Sequence, residues 1–201
     1  MYALTPNYRT FLAAFFIAAA LISCKKEDIP ENTNAPAAHI AASEKLQVPE
    51  AVDLPGYLPG YSRVATYYAT GVQKYKAKEK AGQPLTYEWV FVAPEANLYD
   101  ISNAKAGTHG AGPFWQLSAT DSIFAQPFTP ARTAPAADGT SIDWLLLMPK
   151  AGSIPTGIFA GVDYIQRIAT RGGKAPSIPP TSANQTTAVE YEAVYRFSKK
   201  N

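Results

Sequence analysis

The chain contains one cysteine and two histidines in 201 residues, and neither sign of charge is in excess. Each shortage excludes something. A lone cysteine leaves no internal disulfide, so the body must be held by its core. The body has one histidine, His109, and no H-E-x-x-H motif, so a zinc site would need carboxylates that nothing in the sequence gathers around it. Metal is therefore not expected, and neither is any cofactor. Residues 1–23 contain one basic residue and no acid, which leaves 17 basic against 16 acidic residues beyond them. That balance gives no electrostatic case for nucleic acid, whose binders concentrate a basic patch on one face, and it argues against a strongly anionic ligand. Lys74, Lys76, Lys78 and Lys80 stand at strand spacing beside Glu79 and read as a solvated face. There is no G-x-S-x-G elbow. Gly172-Gly173-Lys174 lacks the spacing and the following Ser or Thr of a phosphate loop. Long helical periods are missing as well, which removes the crossovers that a parallel α/β sheet needs.

What is present begins with an address. Arg9 precedes twelve consecutive apolar residues, Phe11 to Ile22. A membrane-spanning helix needs roughly twenty, so the run fits the apolar core of a secretory signal. It ends in "LISC", which resembles the bacterial lipoprotein box and implies cleavage before Cys24 and lipidation of its thiol. The expected organisation is a signal peptide over 1–23, a lipid-anchored flexible tether over 24–50, and a single domain over 51–201. The tether is rich in Pro, Ala, Asn and charge, too poor in apolar area to offset its ordering entropy. His39 lies in it and reads as spacer. The start of the tether, "CKKED", resembles the tag that sends some bacterial lipoproteins to the outer face of the outer membrane, although it also suits the beginning of a solvated linker.

Period-two segments dominate the body. "VEYEAVYRF" places Val189, Tyr191, Ala193, Tyr195 and Phe197 on one face, with Glu190, Glu192 and Arg196 on the other. "YEWVFVA" alternates on a second face that is also mostly apolar and predicts a central strand. "IDWLLLM" is a near-continuous apolar run that predicts a strand covered on both sides. "GVQKYKA", "FWQL" and "VDYIQRIAT" complete the clearer strands, and "PFTPARTAPAADGTS" reads as a long loop. The fold class expected is all-β, an antiparallel β-sandwich or a closed β-barrel with long loops, and monomeric.

Six segments, "TGVQKY", "YEWVFVAPEANLYD", "HGAGPFWQL", "IDWLLL", "IQRIATRGGKAP" and "VEYEAVYRF", resemble in order a family of secreted bacterial and fungal proteins without an assigned function. Some fungal relatives carry a malate dehydrogenase label, which the absence of a dinucleotide fingerprint here does not support. The resemblance implies two cysteines that this chain lacks, at positions matching Ala77 and about Pro180, and so implies that these two segments lie side by side.

His109 sits in loop-like sequence between "AGT" and "GAGP", beside Trp115. The candidate patch is His109, Trp115, Gln73, Tyr75, Gln166 and Arg167. A histidine, aromatic faces and amides together suit a neutral polar ligand. Gln166 shares a face with Tyr164 and Ile168, and a buried amide there must find a hydrogen-bond partner, such as the backbone of a loop, the one carrying His109 being a candidate. The favoured expectation is a non-enzymatic envelope module that binds a glycan or other small polar ligand. The alternatives are a hydrolase acting on envelope or extracellular polysaccharide, or a purely structural envelope protein.

Overall fold

The structure, a computed structural model, describes Met1 and residues 33–55 and 60–201. The signal and Cys24 lie outside the described residues. All the described residues except Met1 belong to one compact unit, 32–201.

That unit is all-β and antiparallel. Its strands are β1 (Tyr61–Glu79), β2 (Tyr87–Tyr99), β3 (Lys105–Gly110), β4 (Phe114–Gln116), β5 (Ser122–Ala134), β6 (Trp144–Pro149), β7 (Tyr164–Gly172) and β8 (Thr186–Lys200). Each pairs with its neighbour in sequence, and β8 pairs again with β1, so the single sheet returns to its starting strand. Alternation then has two destinations. Inward go Tyr67 and Ala69 of β1, Leu98 of β2, Trp115 of β4, Ile123 of β5, and Tyr191, Tyr195 and Phe197 of β8. Outward go the exposed Lys74, Lys76 and Lys78, which interleave with buried Gln73, Tyr75 and Ala77.

Part of the outer face is covered as well. Helix α1 (Pro36–Ser43) and a 3-10 turn (Glu50–Val52) bury Ile40 and Val52 against Tyr68, Trp144, Leu146, Ile168 and Val194. This explains why β6 is apolar on both faces. Residues 36–43, within the stretch 24–50 read above as tether, form this helix, and the 3-10 turn spans the end of that stretch. His39 stacks on Tyr68 with ring centroids 4.5 Å apart. Arg196 donates to the Ser43 carbonyl at 2.7 Å, and Glu44 pairs with both Arg63 and Arg196. Arg132 clamps the turn by donating to Ala51 O and Glu50 O at 2.9 and 3.0 Å. The composition of this segment is that of a linker, and its docking is carried by backbone carbonyls and single side chains.

Three further expectations change. "PFTPARTA" is strand, within β5, with its register against β6 shifting between Pro127 and Arg132. A bulge of this kind accommodates prolines that cannot donate to a ladder. His109 is on β3 rather than in a loop. The first half of β2 is partly exposed, Phe91 and Val92 at 50 % each, and the buried part of the strand is Pro94, Ala96 and Leu98. In a sheet that returns to its first strand, no strand is central, and exposure depends on the position along each strand.

The Gly172-Gly173 pair has a packing role. A Cβ on Gly173, at φ +82°, would lie 2.8 Å from the Cβ of Tyr191 and 3.1 Å from Gln73 Cγ. Its carbonyl accepts from the Tyr75 hydroxyl at 2.6 Å. Beyond it, the chain returns to β1 and β2, where Ala77 N donates to Gln185 O and Trp89 Nε1 donates to Ile178 O.

Candidate functional site

Two inward rows build the site. Pairing across β2, β3, β4 and β5 aligns Ala96, His109, Trp115 and Ile123. Pairing across β6, β7 and β8 aligns Leu145, Arg167 and Tyr195. The rows meet where the Tyr195 hydroxyl lies 3.1 Å from His109 Nε2.

The histidine is fixed on every side. It is 4 % exposed and stacks on Trp115 at 4.5 Å with an interplanar angle of 15°. Its Nδ1 lies 2.7 Å from Phe114 O. A carbonyl only accepts, so Nδ1 carries the proton and Nε2 accepts from Tyr195. Burial, with Arg167 adding to it, lowers the His109 pKa to about 4 against the opposing Phe114 carbonyl. The ring is therefore neutral at pH 7. Burial likewise raises the Tyr191 and Tyr195 phenols, whose oxygens lie 3.5 Å apart, and keeps them protonated.

A cavity of about 270 Å³ opens against these rows. Phe91, Pro94, Leu145 and Leu147 form apolar wall, and His109, Tyr195 and Arg167 supply polar groups. Arg132 and Thr133 also line it, and no Asp or Glu does. Arg167 donates through Nε and Nη2 to the Asp143 carbonyl at 3.1 and 2.7 Å. It takes part in none of the ion pairs among the described residues.

Of the six residues singled out from sequence, His109, Trp115 and Arg167 line this cavity. Gln73 and Tyr75 share the inward face but do not line it. Gln73 is 2 % exposed beside Tyr191, with Nε2 lacking a hydrogen-bond partner of good geometry. Gln166 is on the outer face, where its amide donates to Val52 O at 2.9 Å. A loop backbone does satisfy it, but the loop is the turn over β6 and β7 and not the one next to His109. Tyr195 was overlooked as a site residue, although its place on the inward face of "VEYEAVYRF" was visible. Leu145, Leu147 and Phe91 fall in segments whose sequence marks them only as strand. Among the described residues no group of three or more His, Cys, Asp or Glu side chains is placed to hold a metal. None of the described helices is long and apolar enough to cross a membrane.

Neither curated proteins nor solved structures give a match to this chain. Residues 59–199 match the family described as "Protein of unknown function (DUF3455)", and the chain belongs to that family.

Proposed function

We propose that this chain is a non-enzymatic binding module, a closed barrel whose mouth takes a small ligand. The observation that carries the reading is the cavity itself: concave, walled mainly by apolar side chains, with a few fixed polar groups among them, which is the usual make-up of a small-molecule site. At about 30 Å³ per water, a volume of about 270 Å³ corresponds to a ligand of about ten heavy atoms. Apolar walls favour a ligand with an apolar body over a glycan. The return of β8 to β1 supports a barrel over a sandwich. A proton-transfer role for His109 has little support, because both ring nitrogens are engaged, the ring is neutral, and no carboxylate lines the cavity. The export signal and the "LISC" cysteine support lipid anchoring of the module at the outer membrane through Cys24.

The test is an array of small carboxylic acids, amides, alcohols, sugars and glycosidic substrates, read by calorimetry and by turnover. Wild type is compared with Ala131→Trp, which places bulk at the exposed rim and leaves the core untouched. Binding by wild type that is lost in folded Ala131→Trp supports the reading. Binding unaffected by that substitution contradicts it, and turnover that disappears in His109→Gln would favour the hydrolase.

A further inference from the structure

We infer that the ligand of the mouth cavity is a small carboxylate with an apolar body, its head group seated on Arg167. The inference rests on the binding reading above and adds the chemistry of the head group. Three observations lead to it.

The first is an imbalance of charge. Two guanidinium groups, Arg132 and Arg167, line the cavity and no carboxylate does. Arg132 is occupied with the carbonyls of the 3-10 turn. Arg167 donates through Nε and Nη2 to a single carbonyl oxygen, that of Asp143, and its other polar neighbour is the Tyr195 phenol, which is neutral. It is half-buried, and no acid neutralises it. A partly desolvated cation without a counter-ion is costly, and a guanidinium is built to receive a carboxylate.

The second is a shortage of acceptors. The Trp115 indole lines the cavity, and its N–H is buried without a hydrogen-bond partner. His109 is committed through Nδ1 and Nε2, so neither ring nitrogen is free to accept from Trp115 or Arg167. An acceptor-rich head group supplies what this end of the interior lacks. A basic head group would face Arg167 with like charge.

The third is the rest of the wall. Leu145, Leu147, Pro94, Phe91 and Val92 make up much of the remaining wall. Phe91 and Val92 stay half exposed there, ready to cover an apolar tail. The near-zero net charge of the chain does not bear on this, because it averages a surface, and the relevant balance is the local one.

The experiment uses two isosteres of about the right size on the wild-type protein, octanoate and octanamide, with octylammonium as the opposite charge. Calorimetry at pH 7 should show octanoate binding at least about tenfold more tightly than octanamide, as expected for a charge-assisted pair, and no binding of octylammonium. In Arg167→Gln the preference should vanish, with octanoate falling to the level of octanamide. In Arg167→Lys part of it should survive. Because the wild-type comparison needs no variant, misfolding of an Arg167 variant leaves the test intact. Octanamide binding as tightly as octanoate overturns the carboxylate inference and leaves the binding module standing. If neither binds while other members of the array are lost in Ala131→Trp, the inference again fails alone. An array empty in wild type brings down both.

Discussion

His109 shows how much a residue's chemistry depends on where its nitrogens are anchored. An unperturbed imidazole is suited to proton transfer near neutral pH. Here Phe114 O fixes one nitrogen, Tyr195 the other, and Trp115 covers the face. The folded-state pKa, about 4, lies below the ordinary value of 6.5. Between those values the unfolded chain binds more protons than the folded one, so the contribution is complete above pH 6.5 and is lost as pH falls toward 4. Its size is on the order of 3 kcal/mol at most. Thermal unfolding followed from pH 7.5 to 4 should therefore decline more steeply for wild type than for His109→Gln. Parallel curves would mean that the ring is not held neutral. Asp100, Asp121 and Asp138 have carboxyls held below their usual range by hydrogen bonds, from Ser102, Ser118 and Ser141 in the first place, so the losses they cause belong to lower pH. The sequence showed the His109–Trp115 pair but not its purpose. A three-residue strand, β4, brings Trp115 opposite His109 across a hairpin turned at residues 111–113, a strand too short to show a period of its own.

Among the elements, β8 was legible because Glu190, Glu192 and Arg196 alternate with an apolar inward row, and β6 because both of its faces, interior and covered exterior, are apolar. β5 was not, because Pro127 and Pro130 fall where the register shifts and mask the period. Helix α1 was missed for a different reason. "PAAHIAAS" offers one large apolar residue, Ile40, and gains its place from the His39–Tyr68 stack and from Arg196 reaching Ser43. Such contacts connect residues more than a hundred positions apart in the second case, and no window of sequence contains both partners. The segment is thus part of the fold. Deleting residues 33–54 should uncover Trp144, Leu146 and Val194 and leave Arg196 without Ser43 and Glu44. Removing the partners of a buried charge costs about 3–5 kcal/mol. The melting temperature should drop by several degrees and an apolar-surface dye should bind. A truncated protein that melts like wild type and ignores the dye would return the segment to the status of a tether.

At the scale of the whole molecule, one sheet carries a well-packed cluster at Trp115, Phe159 and Phe197 and leaves an open, donor-rich cavity beside it. Composition could report neither half. The twelve tyrosines and three tryptophans are compatible with a stacking surface as well as with a core, and only the register separates Gln166 outside from Arg167 inside. The most direct test of the central claim is a nuclear magnetic resonance titration of the isotope-labelled protein with octanoate. Saturable shifts should be confined to the mouth, at Val92, Thr133, Leu145, Leu147 and the Arg167 side chain, with His109 Nδ1 remaining protonated throughout. Saturable shifts that map instead to the outer face around Tyr68 and Trp144, or no shifts at millimolar octanoate, would contradict it.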